Sequence, residues 1–252
     1  MKPTWPVIVP SRGRADSIAA HALTALVGVP RDQVTVLAYE PELAAYRAAA
    51  LPGMRVIPAP GGLSNVNQMV AQLYPDRWII RLDDDIQQIQ TLTTNAAGKP
   101  ALRPADVPLV FHTMTTRGEA EHLTLVGISP TGNAGFMRHK WMVGLHFACG
   151  GLFAYKPDPA LAGRCTGKED YERTLLHYRR DGAVGRAQWV AVKRKALRGF
   201  AGGISDELPD RRGTERQEVA YLQQQFPGLV HPKDDRDGYP EITLRIPAQA
   251  NR

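Results

Sequence analysis

The stretch WIIRLDDDI at residues 78–86 joins an apolar run to three consecutive aspartates. An apolar run of this length, with two isoleucines, predicts a buried strand. Asp83, Asp84 and Asp85 would crowd at its carboxyl end, where like charges repel one another unless a cation compensates them. Arg81 could neutralise one carboxylate, and Mg²⁺ or Mn²⁺ would neutralise more because both favour oxygen ligands. The alternative is a solvated acidic turn or a helix cap.

Strand and helix signals alternate through the first third of the chain. This β-α-β-α-β-α-β order predicts an α/β fold with a mainly parallel, Rossmann-type sheet flanked by helices, with right-handed crossovers. In such sheets ligands bind at the carboxyl ends of the strands. The predicted strands cover residues 6–10, 33–39, 55–58 and 78–82, and the predicted helices run from Asp16 or Ser17 to about Val27, from 40 to 50 and from 65 to 73.

The second half of the chain has less regular patterns. Gly150 and Gly151 interrupt an apolar stretch, which suggests a strand whose backbone closely approaches another group. No internal repeat or linker is evident, so we predict a single domain elaborated in its C-terminal half. Helices are predicted within residues 103–116, 168–181 and 216–226, and strands at 124–129, 147–155, 187–192 and after 238.

Polar residues follow the first two predicted strands and begin the helix before the aspartates. The turn PSRGR at residues 10–14 offers helix-start amides and two guanidiniums, which suit a phosphate or a base. Glu40 could accept hydrogen bonds from ribose hydroxyls or a uracil imide, and Asn65 or Asn67 could face the same cleft. Each of these residues could equally serve only a turn or a helix start. The candidate nucleotide-binding residues are Pro10, Ser11, Arg12, Arg14, Tyr39, Glu40 and Asn65.

Two segments of the second half carry further candidate site residues. Glu169 and Asp170 begin a predicted helix, where they could stabilise its dipole or act as a general base, with Asp170 favoured. His231 and Lys233 follow a Pro-Gly helix stop. The histidine could bind a metal and the lysine could neutralise a phosphate, although a surface histidine before a proline is more common.

The net positive charge of the chain comes from its second half. Residues 1–125 carry 11 basic and 11 acidic side chains, whereas residues 138–198 carry 13 basic and 5 acidic ones, interleaved with aromatic residues. A basic surface with aromatic side chains suits nucleic acid, through phosphate neutralisation and base stacking. The alternative is a solvated basic face over an aromatic core.

Targeting and cysteine signals are sparse. The N-terminus has no apolar signal segment, no stretch reaches membrane-spanning length, and Cys149 and Cys165 have no metal-like spacing. These features favour a reducing compartment and a cytoplasmic location, without contact to a membrane. They say nothing about the oligomeric state.

The motifs together carry a resemblance to a known family. VPSRGR after strand one, YE after strand two, an asparagine-containing helix and LDDDI at the end of strand four resemble the GT-A glycosyltransferases. More narrowly, the chain resembles the TET-associated glycosyltransferases of bacteriophages, which belong to DNA-hypermodification systems. The Gly-Gly segment, the KEDY sequence at 168–171 and residues 206–225 fit the same resemblance.

The resemblance implies a metal-dependent transfer of a sugar from a UDP-sugar to a hydroxyl group. Asp83 and Asp85 would hold Mn²⁺ or Mg²⁺, completed by His231, and Asp84 would contact the nucleotide or donor sugar, or only cap the turn. It further implies a nucleotide-sugar-binding half at residues 1–125 and an acceptor-binding, catalytic half at 126–252. The implied acceptor is a 5-hydroxymethylated pyrimidine in DNA, bound through the basic region 138–198 in the host cytoplasm.

Several rival functions fit the same sequence. The acceptor could be a glycan, a lipid or a protein. The chain could instead be a sugar-phosphate nucleotidyltransferase, although SRGR at residues 11–14 fits the loop of that class only loosely. It could also bind nucleic acid without catalysis, in which case the aspartates would be structural.

Overall fold

The computed structural model describes residues 5–18, 24–194, 208, 210–235 and 237–247. Strands and helices alternate at first, and strands predominate later. The helices are α1 (Leu43–Ala49), α2 (Leu63–Leu73), α3 (Val107–Ala120), α4 (Glu169–Asp181) and α5 (Arg211–Gln225). The strands are β1 (Val7–Ser11), β2 (Val34–Tyr39), β3 (Arg55–Ala59), β4 (Ile79–Leu82), β5 (Ile86–Thr94), β6 (Pro100–Pro104), β7 (Leu125–Ile128), β8 (Trp141–Gly144), β9 (Leu152–Tyr155), β10 (Val184–Ala187), β11 (Val190–Arg194), β12 (Val230–Asp234) and β13 (Pro240–Leu244).

Eight strands form the central sheet, in the order β3-β2-β1-β4-β9-β7-β10-β8. The first four strands of this order are parallel, as are β7 and β10, whereas β9 and β8 run antiparallel to their neighbours. The predicted α/β class with a mainly parallel sheet and flanking helices is therefore confirmed. Strands from both halves of the chain contribute to this one sheet.

Alternating side chains of the strands build a core on each face of the central sheet. Val7 and Val9 of β1 belong to one buried cluster and Ile8 belongs to another, because successive residues of a strand point to opposite faces. A third cluster lies between α4, α5 and the β12–β13 hairpin, and it includes Leu175, Leu222 and Ile242. The C-terminal helix and hairpin thus pack on the helix that begins at Glu169.

Two smaller sheets differ from the predicted pattern. The strand predicted at 187–192 is divided into β10 and β11, and β11 joins β5 and β6 in a separate three-stranded sheet. Gln188 and Trp189 separate the two strands. The β5, β6, β8 and β12 strands were not predicted, since their polar or short sequences lack two-residue alternation. The helix predicted up to Val27 differs from the structure, because its start is a 3-10 turn at Ala15–Ser17 and residues 24–27 form turns, while residues 19–23 lie outside the described ranges.

The pairing of β1 with β4 places two of the predicted polar segments at one edge. Val7 aligns with Ile80 and Ile8 with Arg81 in this parallel pair, so both strands end on the same side of the sheet. Ser11 closes β1, and the three aspartates follow β4 directly. Among the described residues, no helix is long and apolar enough to cross a membrane.

Candidate functional site

A cavity of about 350 Å³ opens at the carboxyl ends of β1, β2 and β4. It extends from these strand ends to the loop before α4, the end of β11 and the start of α5. Polar and charged side chains supply much of its wall, which is the arrangement expected of a ligand site at the strand ends of an α/β sheet. The charged lining residues are Arg12, Arg14, Arg81, Asp83, Asp84, Asp85, Glu169, Asp170, Arg194 and Arg211.

Asp84 is bound within the protein. Its carboxylate accepts a hydrogen bond of 2.5 Å from Ser11 Oγ and forms an ion pair with Arg14, and its side chain is buried. Tyr46 Oη lies 2.7 Å from the same serine oxygen. Burial raises the pKa of Asp84, although the Arg14 charge and the Ser11 hydrogen bond oppose the rise. Asp84 therefore holds β1 against β4 and leaves its two neighbours to face the cavity.

Asp83 and Asp85 supply the carboxylates that need a cation. Asp83 faces the cavity with 33% of its side chain exposed, and Arg194 Nη1 lies 3.5 Å from its Oδ2. Burial, and then the charge of Asp85, raises the pKa of Asp83 to about 6, although Arg194 opposes the rise. Asp85 Oδ1 is buried and has no hydrogen-bond partner among the described residues. A buried carboxylate oxygen without a donor is what a cation ligand would leave in a structure of the chain alone.

Glu169 and Asp170 converge with Asp83 around Gly150. A Cβ atom built on this glycine would lie 3.3 Å from Glu169 Oε1, and 3.9 Å from both Asp170 Oδ2 and Asp83 Oδ2. Three carboxylate oxygens thus surround one point where the chain has no side chain. The glycine pair that the sequence marked for a close approach provides the space for this cluster.

The two acidic residues at the start of α4 have different partners. Glu169 forms an ion pair with Arg173, whose guanidinium also stacks on the Phe153 ring 3.7 Å from its centroid. Asp170 accepts a hydrogen bond from the Tyr171 amide at 2.9 Å, and no ion pair involves it within the described part of the chain. Burial and the Glu169 charge raise the pKa of Asp170 well above its ordinary value, although Arg173 opposes the rise. The raised pKa of Asp170 means that this carboxyl group holds a proton more tightly than a solvated carboxyl group does.

The loop before Glu169 is held from α5. The Glu218 carboxylate accepts hydrogen bonds from the Thr166, Gly167 and Lys168 amides at 2.6 to 2.9 Å. Lys168 is buried, and its Nζ lies 2.9 Å from Glu215 Oε2. These contacts take the place of a side-chain cap on α4, which has none. The C-terminal helix therefore sets the position of the acidic pair.

An arginine and a tyrosine stack in the wall of the cavity. The Arg12 guanidinium lies 4.2 Å from the centroid of the Tyr39 ring, and both residues line the cavity together with Pro10. The Tyr39 ring also packs on Gly61, whose hypothetical Cβ would lie 3.2 Å from the ring edge. A flat stack of this kind offers a surface for a planar base.

Four predicted site residues lie outside the cavity wall. Glu40 is exposed at the first position of a 3-10 helix, and Asn65, in the first turn of α2, donates to the Gly61 carbonyl oxygen at 2.8 Å. His231 and Lys233 are exposed on β12, and the histidine Nε2 lies 3.1 Å from the Gly228 carbonyl oxygen. The hairpin packs on α5, so the structure does not bring His231 together with the aspartates as the sequence analysis had expected.

The metal-binding group is correspondingly small. Within the described ranges, no three histidine, cysteine, aspartate or glutamate side chains are arranged to hold a metal ion by themselves. Asp83 and Asp85 fit a cation that keeps several positions for water and for substrate phosphates, which is the common situation of Mg²⁺. The Asn67 side chain is engaged elsewhere, because its Oδ1 accepts from Arg81 at 3.2 Å.

Several cavity residues were missed by the sequence analysis. Arg194 and Arg211 come from distant parts of the chain, and Thr166 and Cys149 are ordinary polar or small residues. No local pattern marks them, although Arg194 belongs to the basic region that was assigned to the acceptor. Both cysteines are free thiols in this structure.

No protein-family model matches the sequence, and no curated protein matches it. Among solved structures, the chain is similar to glucosyl-3-phosphoglycerate synthase from Mycobacterium tuberculosis in complex with Mn²⁺ and UDP-glucose, with a TM-score of 0.48 and 15% identity over 96% of this chain and 86% of that one. For the same enzyme in complex with Mn²⁺, UDP and phosphoglyceric acid, the TM-score is 0.47 and the sequence identity is 14%, over 96% of this chain and 87% of that one. For a UDP-glucose pyrophosphorylase complexed with UDP-glucose, the TM-score is 0.42 and the sequence identity is 10%, over 88% of this chain and 100% of that one. These likenesses are too distant to carry an argument about the activity of this chain.

Proposed function

We propose that the protein is a metal-dependent glycosyltransferase that moves a sugar from a UDP-sugar to a hydroxyl group. The observation that carries this proposal is the convergence of Asp83, Glu169 and Asp170 around Gly150, within a cavity that also holds the Arg12–Tyr39 stack. The cavity thereby combines a surface for a base, carboxylates for a cation and a second pair of carboxylates for proton transfer. Its wall draws on residues 1–125 for the donor and on residues 126–252 for the chemistry.

The donor nucleotide would lie along the ends of β1 and β2. Its base would stack against Arg12 and Tyr39, and the apolar side chains of Pro10 and Leu63 would cover it. The diphosphate would extend toward Asp83 and Asp85. Ser11 and Arg14 would shape this path indirectly, because their side chains already bind Asp84.

Asp83 and Asp85 would hold the divalent cation. The partnerless Asp85 Oδ1 and the raised pKa of Asp83 both fit a bound Mg²⁺ or Mn²⁺. A cation here would neutralise charge on the departing diphosphate, an effect worth several kcal/mol. His231 is left out of this proposed set because it lies outside the cavity wall.

Asp170 would serve as the general base. An acceptor hydroxyl must lose its proton as it attacks the sugar, and a carboxylate in the cavity can take it. Glu169 is already paired with Arg173, whereas Asp170 has no ion pair within the described residues. We therefore favour Asp170 as the general base. Glu169 would orient the acceptor or the sugar.

The acceptor would be a hydroxymethylated pyrimidine in DNA, as in the phage TET-associated enzymes that the sequence resembles. Support comes from a cationic group within the basic region 138–198, of which residues 195–198 lie outside the described ranges. Arg138 and Lys140 are exposed just before β8, and Arg186 lies on the neighbouring strand β10, where it aligns with Met142 of β8. Phosphate groups of a polyanion would be attracted to these positive charges.

A ligand-binding experiment tests the donor site. UDP with Mn²⁺ should raise the melting temperature of the protein, and Asp85→Asn should abolish most of this rise. Asp32→Asn, at an exposed position in a 3-10 turn, is the matched control and should leave the rise unchanged. If UDP and Mn²⁺ failed to stabilise the wild-type protein, the enzyme assignment would have to be abandoned.

A product assay tests the acceptor. Hydroxymethylated DNA is incubated with several UDP-sugars, and its nucleosides are analysed by mass spectrometry. A mass gain of one sugar supports DNA as the acceptor. If the protein still binds UDP and Mn²⁺ but the nucleoside masses stay unchanged with every donor, a glycan, lipid or protein acceptor is favoured instead.

A further inference from the structure

Arg194 lies beside the aspartates and has no role in the function proposed above. It ends β11 and aligns with Ile86 of β5, the residue that directly follows Asp85. Its Nη1 lies 3.5 Å from Asp83 Oδ2, and its side chain lines the cavity. We propose that Arg194 is the resident counter-cation of Asp83 and Asp85, which a divalent metal must displace and which the diphosphate of the donor then receives. This inference rests on the donor site proposed above.

The fold reserves space for the Arg194 guanidinium. A Cβ atom on residue 151 would lie 2.7 Å from Arg194 Cζ, a distance that real Cβ contacts essentially never show. The guanidinium therefore packs directly on the backbone of Gly151 and would have to move if that residue had a side chain. The Asp83 amide donates to the Gly151 carbonyl oxygen at 3.1 Å, so the glycine is itself joined to the aspartate turn.

Charge assigns Arg194 to the two outer aspartates. The third aspartate, Asp84, already has Arg14 as its partner. Burial disfavours the charged form of Arg194, but the charges of Asp83 and Asp85 raise its pKa above the ordinary value. The Arg194 side chain lines the cavity and is 24% exposed, so it is not enclosed by protein on every side.

The consequences differ for a metal alone and for a metal with a diphosphate. Two carboxylates and one guanidinium carry a charge of −1, so a lone divalent cation would leave the group at +1 and would be repelled by Arg194. The diphosphate of a UDP-sugar brings two negative charges and that of UDP up to three, so metal and nucleotide together leave the group at −1 or −2. Arg194 should therefore disfavour free metal and favour the metal–nucleotide pair, which makes the two ligands bind cooperatively.

The rival interpretation is a static ion pair that only neutralises Asp83. In that case Arg194 would keep its place when the ligands bind, and its loss would weaken the protein without changing the cooperativity. The two interpretations predict different effects of Arg194 on the cooperativity between Mn²⁺ and UDP, which can be measured without any acceptor or turnover.

The test compares Arg194→Met with Lys193→Met, the exposed neighbour on the same strand. The protein is titrated with Mn²⁺, and the electron paramagnetic resonance signal of the free ion measures how much Mn²⁺ remains unbound. The dissociation constant for Mn²⁺ is obtained in this way with and without saturating UDP. We expect Arg194→Met to bind Mn²⁺ alone about tenfold more tightly than wild type. We also expect UDP to enhance Mn²⁺ binding about tenfold less in this variant, while Lys193→Met behaves as wild type. Arg194→Lys, which keeps the charge, should retain most of the cooperativity.

Each outcome decides a separate question. Equal or weaker binding of free Mn²⁺ by a folded Arg194→Met, judged by its melting temperature, would overturn the displacement proposal. If Arg194→Met unfolds, loss of cooperativity in the charge-retaining Arg194→Lys would also count against it. If the wild-type protein does not bind Mn²⁺, or if Asp85→Asn leaves its Mn²⁺ binding unchanged, the proposed donor site itself is wrong, independently of the role of Arg194.

Discussion

Arg14 and Asp84 form an ion pair with 2.5 Å between Nη1 and Oδ1, and this pair joins the carboxyl end of β1 to that of β4. The Asp84 side chain is 7% exposed and that of Arg14 is 22% exposed. The middle aspartate is thereby committed to the protein, and its charge is already compensated. The division of three adjacent aspartates into one structural residue and two site residues underlies the first prediction.

Asp84→Ala should destabilise the fold by about 2–4 kcal/mol, because it removes the ion pair with the partly buried Arg14 and the hydrogen bond from Ser11. Urea unfolding followed by circular dichroism measures the change. Asp32→Ala, at an exposed position, should change the stability by less than about 0.5 kcal/mol. Equal midpoints for the two variants would contradict the structural role of Asp84.

Asp170→Asn should raise stability by more at pH 8 than at pH 5, in the presence of a chelator. The folded-state pKa of Asp170 is raised by burial and by Glu169, so the folded protein binds a proton that the unfolded chain has lost. Stability therefore falls as the pH rises through this window, and the neutral asparagine avoids that loss. A rise of about 3 °C in melting temperature at pH 8 is expected.

The same variant should lose sugar transfer while it still binds UDP and Mn²⁺. Asp32→Asn is the control for both measurements, since its side chain lies on the surface. A melting temperature of Asp170→Asn that followed wild type at every pH would show that the carboxyl group is not under strain in the folded protein.

Glu218→Gln should loosen the loop that positions Glu169 and Asp170. The carboxylate accepts three consecutive amide hydrogen bonds, and an amide side chain has only one oxygen to offer. Hydrogen exchange at the amides of residues 166–168 should speed up by about tenfold, which corresponds to a loss of about 1.4 kcal/mol in local protection. The turnover rate should fall while the affinity for UDP with Mn²⁺ stays within about twofold.

The control for this experiment is Glu121→Gln, an exposed residue just after α3. It should change neither exchange in the loop nor turnover. Exchange rates at residues 166–168 that matched wild type in Glu218→Gln would show that the loop is held without this carboxylate.

Tyr39→Ala should weaken UDP binding about tenfold, because it removes the ring on which Arg12 stacks beside the proposed base site. Isothermal titration with UDP in the presence of Mn²⁺ measures the effect. Binding of Mn²⁺ alone should stay as in wild type, since the proposed metal ligands are Asp83 and Asp85. An unchanged affinity for UDP would move the base away from this stack.

Much of the first half of the fold could be predicted from the sequence. The strands at β1, β2, β3 and β4 and their parallel order were predicted, because apolar runs between helices leave few topologies for a parallel sheet. The later strands were predicted less well. The nine-residue β5 carries polar residues at most positions and packs in a small separate sheet, so it lacks the alternation of a half-buried strand.

The candidate site was predicted in part for the same reason. Asp83 and Asp85 at the end of β4, and Arg12 at the end of β1, line one cavity because parallel strands end at one edge. Arg194, Glu218 and Lys168 could not be predicted for their roles, since each acts through a contact with a segment distant in the sequence.

The sequence by itself determined an α/β sheet with an acidic strand end, because hydrophobic periodicity and the placement of charges are local properties of the chain. Only the tertiary structure decided which aspartate is bound internally, that Glu169 and Asp170 meet Asp83 at Gly150, and that His231 lies elsewhere. Those outcomes depend on the packing of α4, α5 and the C-terminal hairpin against the sheet. Packing of this kind is set by the combined burial of many side chains, and no short motif records it.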